Sequence, residues 1–150
     1  MRYIFLTQDF FDDYAHCTEI EQKKERPYAL VHICIKGVDF AIPFRSNVKH
    51  KHVYWTDKDN LCGLDFSKSV VIEDKKYIDV EAKPFIRANE RRNLFGKEYE
   101  VKNGLLDYIY EYKKAKKKQN KHSKKRLLQY STLQYFEKYL DLVDLERDDM

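Results

Sequence analysis

The chain is poor in the residues that break or staple a fold: of 150 residues, four are Gly, three Pro and three Cys. Cys17, Cys34 and Cys62 are odd in number, far apart and form no CxxC pair. That spacing excludes a disulfide framework and a zinc knuckle, and it fits a reducing, cytoplasmic setting with each thiol as a small core hydrophobe. No run approaches the about twenty apolar residues of a membrane-spanning helix. The apolar run Met1 to Leu6 is short and leads into Asp9, Asp12 and Asp13, so it lacks the core of a secretory signal. There is no internal repeat, and the only low-complexity segment is a lysine tract.

What is plentiful is aromatic and charged. Apolar residues make up 43% of the chain and aromatics 15%, with twelve Tyr, which predicts a folded chain with a single domain over 1–150. The net charge of +4 is modest but unevenly spread. Lys113 to Arg126 holds nine Lys and Arg and no acid, whereas Asp141 to Met150 holds five acids and one Arg. A basic face of this kind suits a polyanionic partner.

The organising stretch runs from Arg26 to His52. Arg26-Pro27-Tyr28 leads into an apolar run ending at Ile35, Lys36-Gly37 makes a turn, and a second apolar run ends at Phe44. This is the pattern of a β-hairpin, with Pro43 expected to close the second strand or sit at its edge because it cannot donate a ladder hydrogen bond. The next eight residues, Arg45 to His52, carry Arg45, Ser46, Asn47, Lys49, His50, Lys51 and His52 around Val48. Cations that neutralise phosphate and imidazoles that change charge near neutral pH equip such a segment to hold a phosphodiester and move protons. A merely solvated basic loop is the competing reading.

Elsewhere, Arg2 to Leu6 reads as a strand, followed by a short helix carrying Phe10, Phe11, Tyr14 and Cys17. Val53-Tyr54-Trp55, Gly63 to Phe66, Val70 to Ile72 and Tyr77-Ile78 are further strands, with a polar turn at Thr56 to Asn60. Ile86 to Phe95 reads as a helix ended by Gly96, Tyr99 to Lys102 as an extended link, and Gly104 onward as a helix running into the lysine tract. Ser131-Thr132-Leu133-Gln134 fits a capping box with Tyr130 and Tyr135 as a staple, predicting a last helix from Thr132 to about Leu140 that buries Leu133, Phe136 and Leu140. His50 and His52 would share a strand face, but no third metal ligand lies nearby in sequence. The lysine tract is either a solvated helix end or a backbone grip on nucleic acid, with Tyr108, Tyr110 and Tyr112 as stacking faces.

Several of these residues together resemble the toxins of type III toxin–antitoxin systems, the ToxN/AbiQ group, with the CptN/TenpN branch nearer than ToxN itself. The likeness rests on Arg26-Pro27-Tyr28, the Gly37 turn, Phe40-Ala41-Ile42-Pro43-Phe44 with its serine-bearing basic segment, and Gly63 to Ile72, and it covers roughly residues 1 to 140. It implies an α+β fold, a strongly twisted antiparallel sheet flanked by helices and similar to the Kid and MazF toxins. It also implies a sequence-specific endoribonuclease that needs neither metal nor other cofactor and leaves a cyclic phosphate. Its partners would be cellular or phage mRNA as substrate and a small pseudoknotted antitoxin RNA as inhibitor. The toxin processes the antitoxin's repeat transcript and closes with it into a cyclic protein–RNA assembly. The implied setting is growth arrest and abortive phage infection.

By position, Ser46 sits where the family has its serine, Arg45 where Thr or Ser is usual, and Val48 where many relatives have lysine, with Lys49 and His50 as equivalents after a one-residue contraction. Tyr28 matches the family's Pro-Tyr. In metal-free RNA cleavage the substrate's own 2′-hydroxyl attacks, so the protein must activate it, stabilise the phosphorane and protonate the leaving oxygen. The expected catalytic set is therefore Arg45 and Lys49 on the phosphate, Ser46 on a nonbridging oxygen and His50, with His52 as the other imidazole able to serve. The expected RNA contacts are Tyr28, Asn47, Lys51 and His52, with Lys113, Lys116, Lys117, Lys121, Lys124, Lys125 and Arg126 of the tract. The alternative function is a noncatalytic RNA-binding protein; a DNA-binding regulator lacks helix-turn-helix spacing.

Overall fold

The computed structural model describes residues 1–22, 28–118 and 122–143, the side chains of the last segment from residue 125. It is an α+β chain built on the expected hairpin, β2 (Leu30–Ile35) and β3 (Val38–Arg45), following β1 (Arg2–Leu6). Lys36 and Gly37 both have left-handed backbone, φ 50° and 79°. That conformation gives the two-residue turn whose twist matches the strands it joins, and glycine takes it without a steric penalty. Pairing runs antiparallel from Ile35 opposite Val38 to Leu30 opposite Pro43.

Pro43 lies inside β3 and not at its end, a correction to the sequence expectation. The Phe44 N–H bonds the Ala29 carbonyl on the β2 side, so the nitrogen of Pro43 faces the opposite edge. On that edge β6 (Val70–Val71) pairs with Phe40 and Ala41, and β5 (Cys62–Asp65) with Phe44 and Arg45. Pro43 falls in the gap between them, where no ladder donor is required.

With β4 (Val53–Asp57) and β7 (Ile78–Asp79), the strands form one sheet in the order β4-β5-β3-β2-β1-β7, with β6 also on β3 and every pair antiparallel. Leu30, Val31, Ile33, Phe40, Ala41 and Ile42 are all buried, so both faces of the hairpin are covered. Among the described residues no helix is long and apolar enough to cross a membrane. Cys17 and Cys62 are buried as expected, but Cys34 is exposed.

The helices differ more from expectation. α1 (Gln8–Asp13) buries Phe10 and Phe11 but ends before Tyr14. α2 (Ala88–Leu94) stops short of Gly96, whose φ is 70°. α3 (Glu98–Lys117) starts early and absorbs the expected link at Tyr99 to Lys102. Val101 is fully buried and continues the stripe of Leu105, Ile109 and Tyr112, while Glu98 and Glu100 suit the positive end of the helix dipole. α4 (His122–Tyr130) follows.

The expected last α-helix is instead two 3₁₀ turns, Thr132–Tyr135 and Glu137–Tyr139. The Ser131 hydroxyl does accept the Leu133 N–H (3.2 Å), but the Gln134 amide donates to the carbonyls of Leu128, Gln129 and Ser131 and so does not complete the box. Leu133, Phe136 and Leu140 are buried as the spacing predicts. Tyr130 stays exposed, and Tyr135 donates to Glu19 (3.0 Å) and does not staple against it.

Gly104 sets how closely α3 approaches the sheet, because a Cβ there would lie 2.6 Å from Cζ of Phe66. Gly104→Val should therefore force α3 off the Phe66–Lys68 turn, and overpacking should cost about 1–3 kcal/mol in urea unfolding. An unchanged urea midpoint would contradict this packing.

Candidate functional site

Three chain segments meet at one end of β3. Arg45 ends that strand, and the irregular loop after it is pinned by buried Val48, whose N–H bonds the Leu61 carbonyl at 2.9 Å. β5, paired to Arg45 through Gly63, ends in Asp65 and runs into the Phe66–Lys68 turn. α3 and α4 supply the opposite wall. Between them lies a cleft of about 540 Å³ lined by Arg45, His50, His52, Asp65, Ser67, Lys68, Tyr108, Arg126, Leu127, Tyr130 and Ser131.

Asp65 is the hub. Its side chain is 2% exposed and accepts from the Ser67 N–H (2.9 Å), the Ser67 hydroxyl (2.6 Å), Nε2 of His50 (3.2 Å) and Nη1 of Arg45 (3.3 Å). Burial pushes its pKa up, but the hydrogen bonds from His50 and Ser67 and the charge of Arg45 outweigh it, and the net shift is downward. The ionised carboxylate thus fixes one residue from each of β3, the loop and the Phe66–Lys68 turn.

The two histidines have different jobs. His50 is occupied at both ring nitrogens: Nδ1 accepts the His52 backbone N–H at 3.0 Å, and Nε2 faces Asp65. With Nδ1 accepting, a ring proton sits on Nε2 toward Asp65, which makes His50 a strut. His52 is half-buried and packs edge-on against Tyr108, with ring centroids 5.1 Å apart. Among the described residues no hydrogen bond engages its ring nitrogens. Burial, followed by the neighbouring His50 and Lys51, holds its pKa below the ordinary imidazole value, so it is neutral at pH 7 and able to accept a proton.

Three cations line the same cleft as that imidazole. Arg45 is held between Asp65 and Glu21, its Nε 3.2 Å from the Glu21 carboxylate. Lys68 donates to the Glu19 carbonyl (3.2 Å) and the Tyr130 carbonyl (3.0 Å). An ammonium has three N–H donors, so one is left to point at a ligand. Burial, then the charge of Arg45, pulls the Lys68 pKa down. Arg126 of α4 closes the far side, and the Tyr108 hydroxyl donates to Ser131 (2.7 Å), fixing the ring on which His52 rests.

Of the residues predicted to be catalytic, the structure brings Arg45 and His50 into the cleft and leaves Ser46 and Lys49 exposed outside its lining. Of the predicted RNA contacts, His52 and Arg126 line it. Asn47 (φ 57°) and Lys51 are exposed on the loop, and Tyr28 packs on Phe11 and donates to the Glu21 carbonyl. Lys113 and Lys116 sit 2.5 Å from Asp141 and 3.1 Å from Glu137. Lys117 and Lys125 are exposed; Lys121 and the Lys124 side chain lie outside the described residues. Among the described residues no three His, Cys, Asp or Glu converge where a metal ion could sit. Sequence reasoning missed Asp65, Ser67 and Lys68 as site residues. Their signal was Asp65-Phe66-Ser67-Lys68, a strand end followed by an Asp two residues before a Ser, the pattern of an Asp-capped turn.

No family model, curated protein or solved structure matches the chain.

Proposed function

We propose that the protein is a metal-independent endoribonuclease of the type III toxin kind, cutting RNA by attack of the 2′-hydroxyl to leave a 2′,3′-cyclic phosphate and a 5′-hydroxyl. The observation that carries this reading is the neutral His52 imidazole, unengaged at both nitrogens among the described residues and lining one cleft with Arg45, Lys68 and Arg126. A base with depressed pKa beside convergent cations is what this reaction requires. His52 takes the 2′-hydroxyl proton. Arg45 and Arg126 balance charge growing on the nonbridging oxygens, and Ser67, whose hydroxyl proton goes to Asp65, steadies the carboxylate that positions Arg45. The third N–H of Lys68 faces the leaving 5′ oxygen, and its lowered pKa makes it the better proton donor. Exposed Tyr130 flanks the position of a splayed base.

On this reading the antiparallel sheet is of the Kid/MazF type, the inhibitor is a pseudoknotted RNA covering the cleft, and the two close into a cyclic assembly. Ser67, acting through Asp65, replaces Ser46 as the serine that matters to the site. Ser67→Ala should lower the cutting rate by about 10–100-fold, a loss of about 1.4–2.7 kcal/mol of transition-state stabilisation, while Ser46→Ala should change it less than threefold. Gel assays of a labelled RNA in excess chelator check this. If Ser46→Ala were the more damaging change, the assignment would be overturned. RNA that binds tightly but is never cut would instead indicate a binding protein.

A further inference from the structure

A second hollow, about 360 Å³, lies where α2 meets α3 against β1, and it belongs to no part of the cleft. Its lining combines Phe95, Tyr3 and Arg91 with Glu98, whose carboxylate is paired with the Met1 amine at 3.1 Å. Phe95 is 86% exposed, an unusual position for a phenylalanine, while Tyr3 behind it is half-buried and tilted 48° against Phe44 at 6.0 Å. The surrounding segment is cationic. From Lys83 to Lys97 there are five Lys and Arg, and the only acid, Glu90, is buried and paired with Arg87 at 3.0 Å. Lys83, Arg91, Arg92 and Lys97 are exposed and have no acidic partner among the described residues.

An exposed ring over a hollow with arginine at its rim has the composition of a base-stacking platform beside a phosphate contact. The exposed Lys83, Arg91, Arg92 and Lys97 around the ring suit a polyanion. α3 joins this hollow to the cleft: Glu98 lines the first and Tyr108 the second. Ten residues at helical rise separate them by about 15 Å, a span that several nucleotides of one strand can bridge.

We infer that the Phe95–Arg91 hollow is a second base-binding subsite, stacking a nucleobase of the same RNA strand whose phosphate lies in the cleft. The inference rests on the ribonuclease reading for the identity of the strand, and its test separates the two. The probe is a fluorescein-labelled single-stranded RNA of about a dozen nucleotides. Its affinity is measured by anisotropy at fixed salt for the wild type, Phe95→Ala and Arg91→Ser, all in a His52→Gln background so that nothing is cut. Loss of one stacked base should weaken binding about tenfold in Phe95→Ala. A dinucleotide, too short to reach both sites, should bind all three proteins equally. Because Phe95 is exposed, its truncation leaves the core intact, and a thermal melt verifies this. Equal binding of the long probe by Phe95→Ala and wild type would overturn the subsite and leave the ribonuclease reading standing. No binding of either probe by any of the three would overturn both.

Discussion

His52→Gln should lower kcat/KM for RNA cutting by about 10²–10⁴-fold, the range expected when a general base is removed. Glutamine keeps the bulk against Tyr108 but cannot accept a proton near neutral pH. The loss should exceed that of His50→Gln, because His50 already spends both ring nitrogens on the His52 backbone and Asp65. The pH profile separates chemistry from structure. His52 must be neutral to act, so kcat/KM should rise with pH along a limb set by its pKa, below the ordinary imidazole value of about 6.5. Lys51 is one of the charges that lowers that pKa. Lys51→Glu should therefore move the limb to higher pH, whereas a loop residue that only grips phosphate would change affinity and leave the limb in place. A His52→Gln enzyme within tenfold of wild type would remove His52 from the reaction.

Asp65→Asn should be the most damaging change to the fold of the site. The carboxylate takes four donated hydrogen bonds, and an amide in its place turns an NH₂ toward groups that all donate. Leaving buried donors unpaired should cost about 2–4 kcal/mol, or about 5–15 °C in Tm at this chain length. Arg45 is itself one-third exposed, so water offsets part of the lost ion pair. The acid limb of stability should change too. The folded-state pKa of Asp65 lies below its unfolded value of about 3.9, so its stabilisation is present above that pH and is lost as pH falls through the folded value. Wild type and variant should thus converge in stability under acid. An Asp65→Asn protein as stable as wild type at pH 7 would show that the hub contributes nothing net.

The parts of the fold readable from sequence were those governed by local pattern. The β2–β3 hairpin follows from two apolar runs and the Lys36-Gly37 turn, and β1 matches the expected Arg2 to Leu6. The boundaries of α3 and the 3₁₀ turns after Ser131 depend on tertiary packing: Val101 reaches the core, and Gln134 finds carbonyls from three different residues. The site was half legible. Arg45, His50 and His52 of the loop that the sequence singled out line the cleft, but which side chains turn inward is decided by Asp65, twenty residues beyond Arg45 and brought alongside by the β3–β5 pairing. Strand pairing across that separation leaves no periodic trace in the sequence. The tract's charge was legible, whereas the pairing of Lys113 and Lys116 with Asp141 and Glu137 depends on the fold.

The most direct test of the ribonuclease account is to map RNA 5′ ends after incubating total bacterial RNA with wild-type protein or His52→Gln in excess chelator. Recurrent new 5′-hydroxyl ends with the wild type, absent with His52→Gln, are the predicted result. No new ends with the wild type, or the same ends with both proteins, would contradict it.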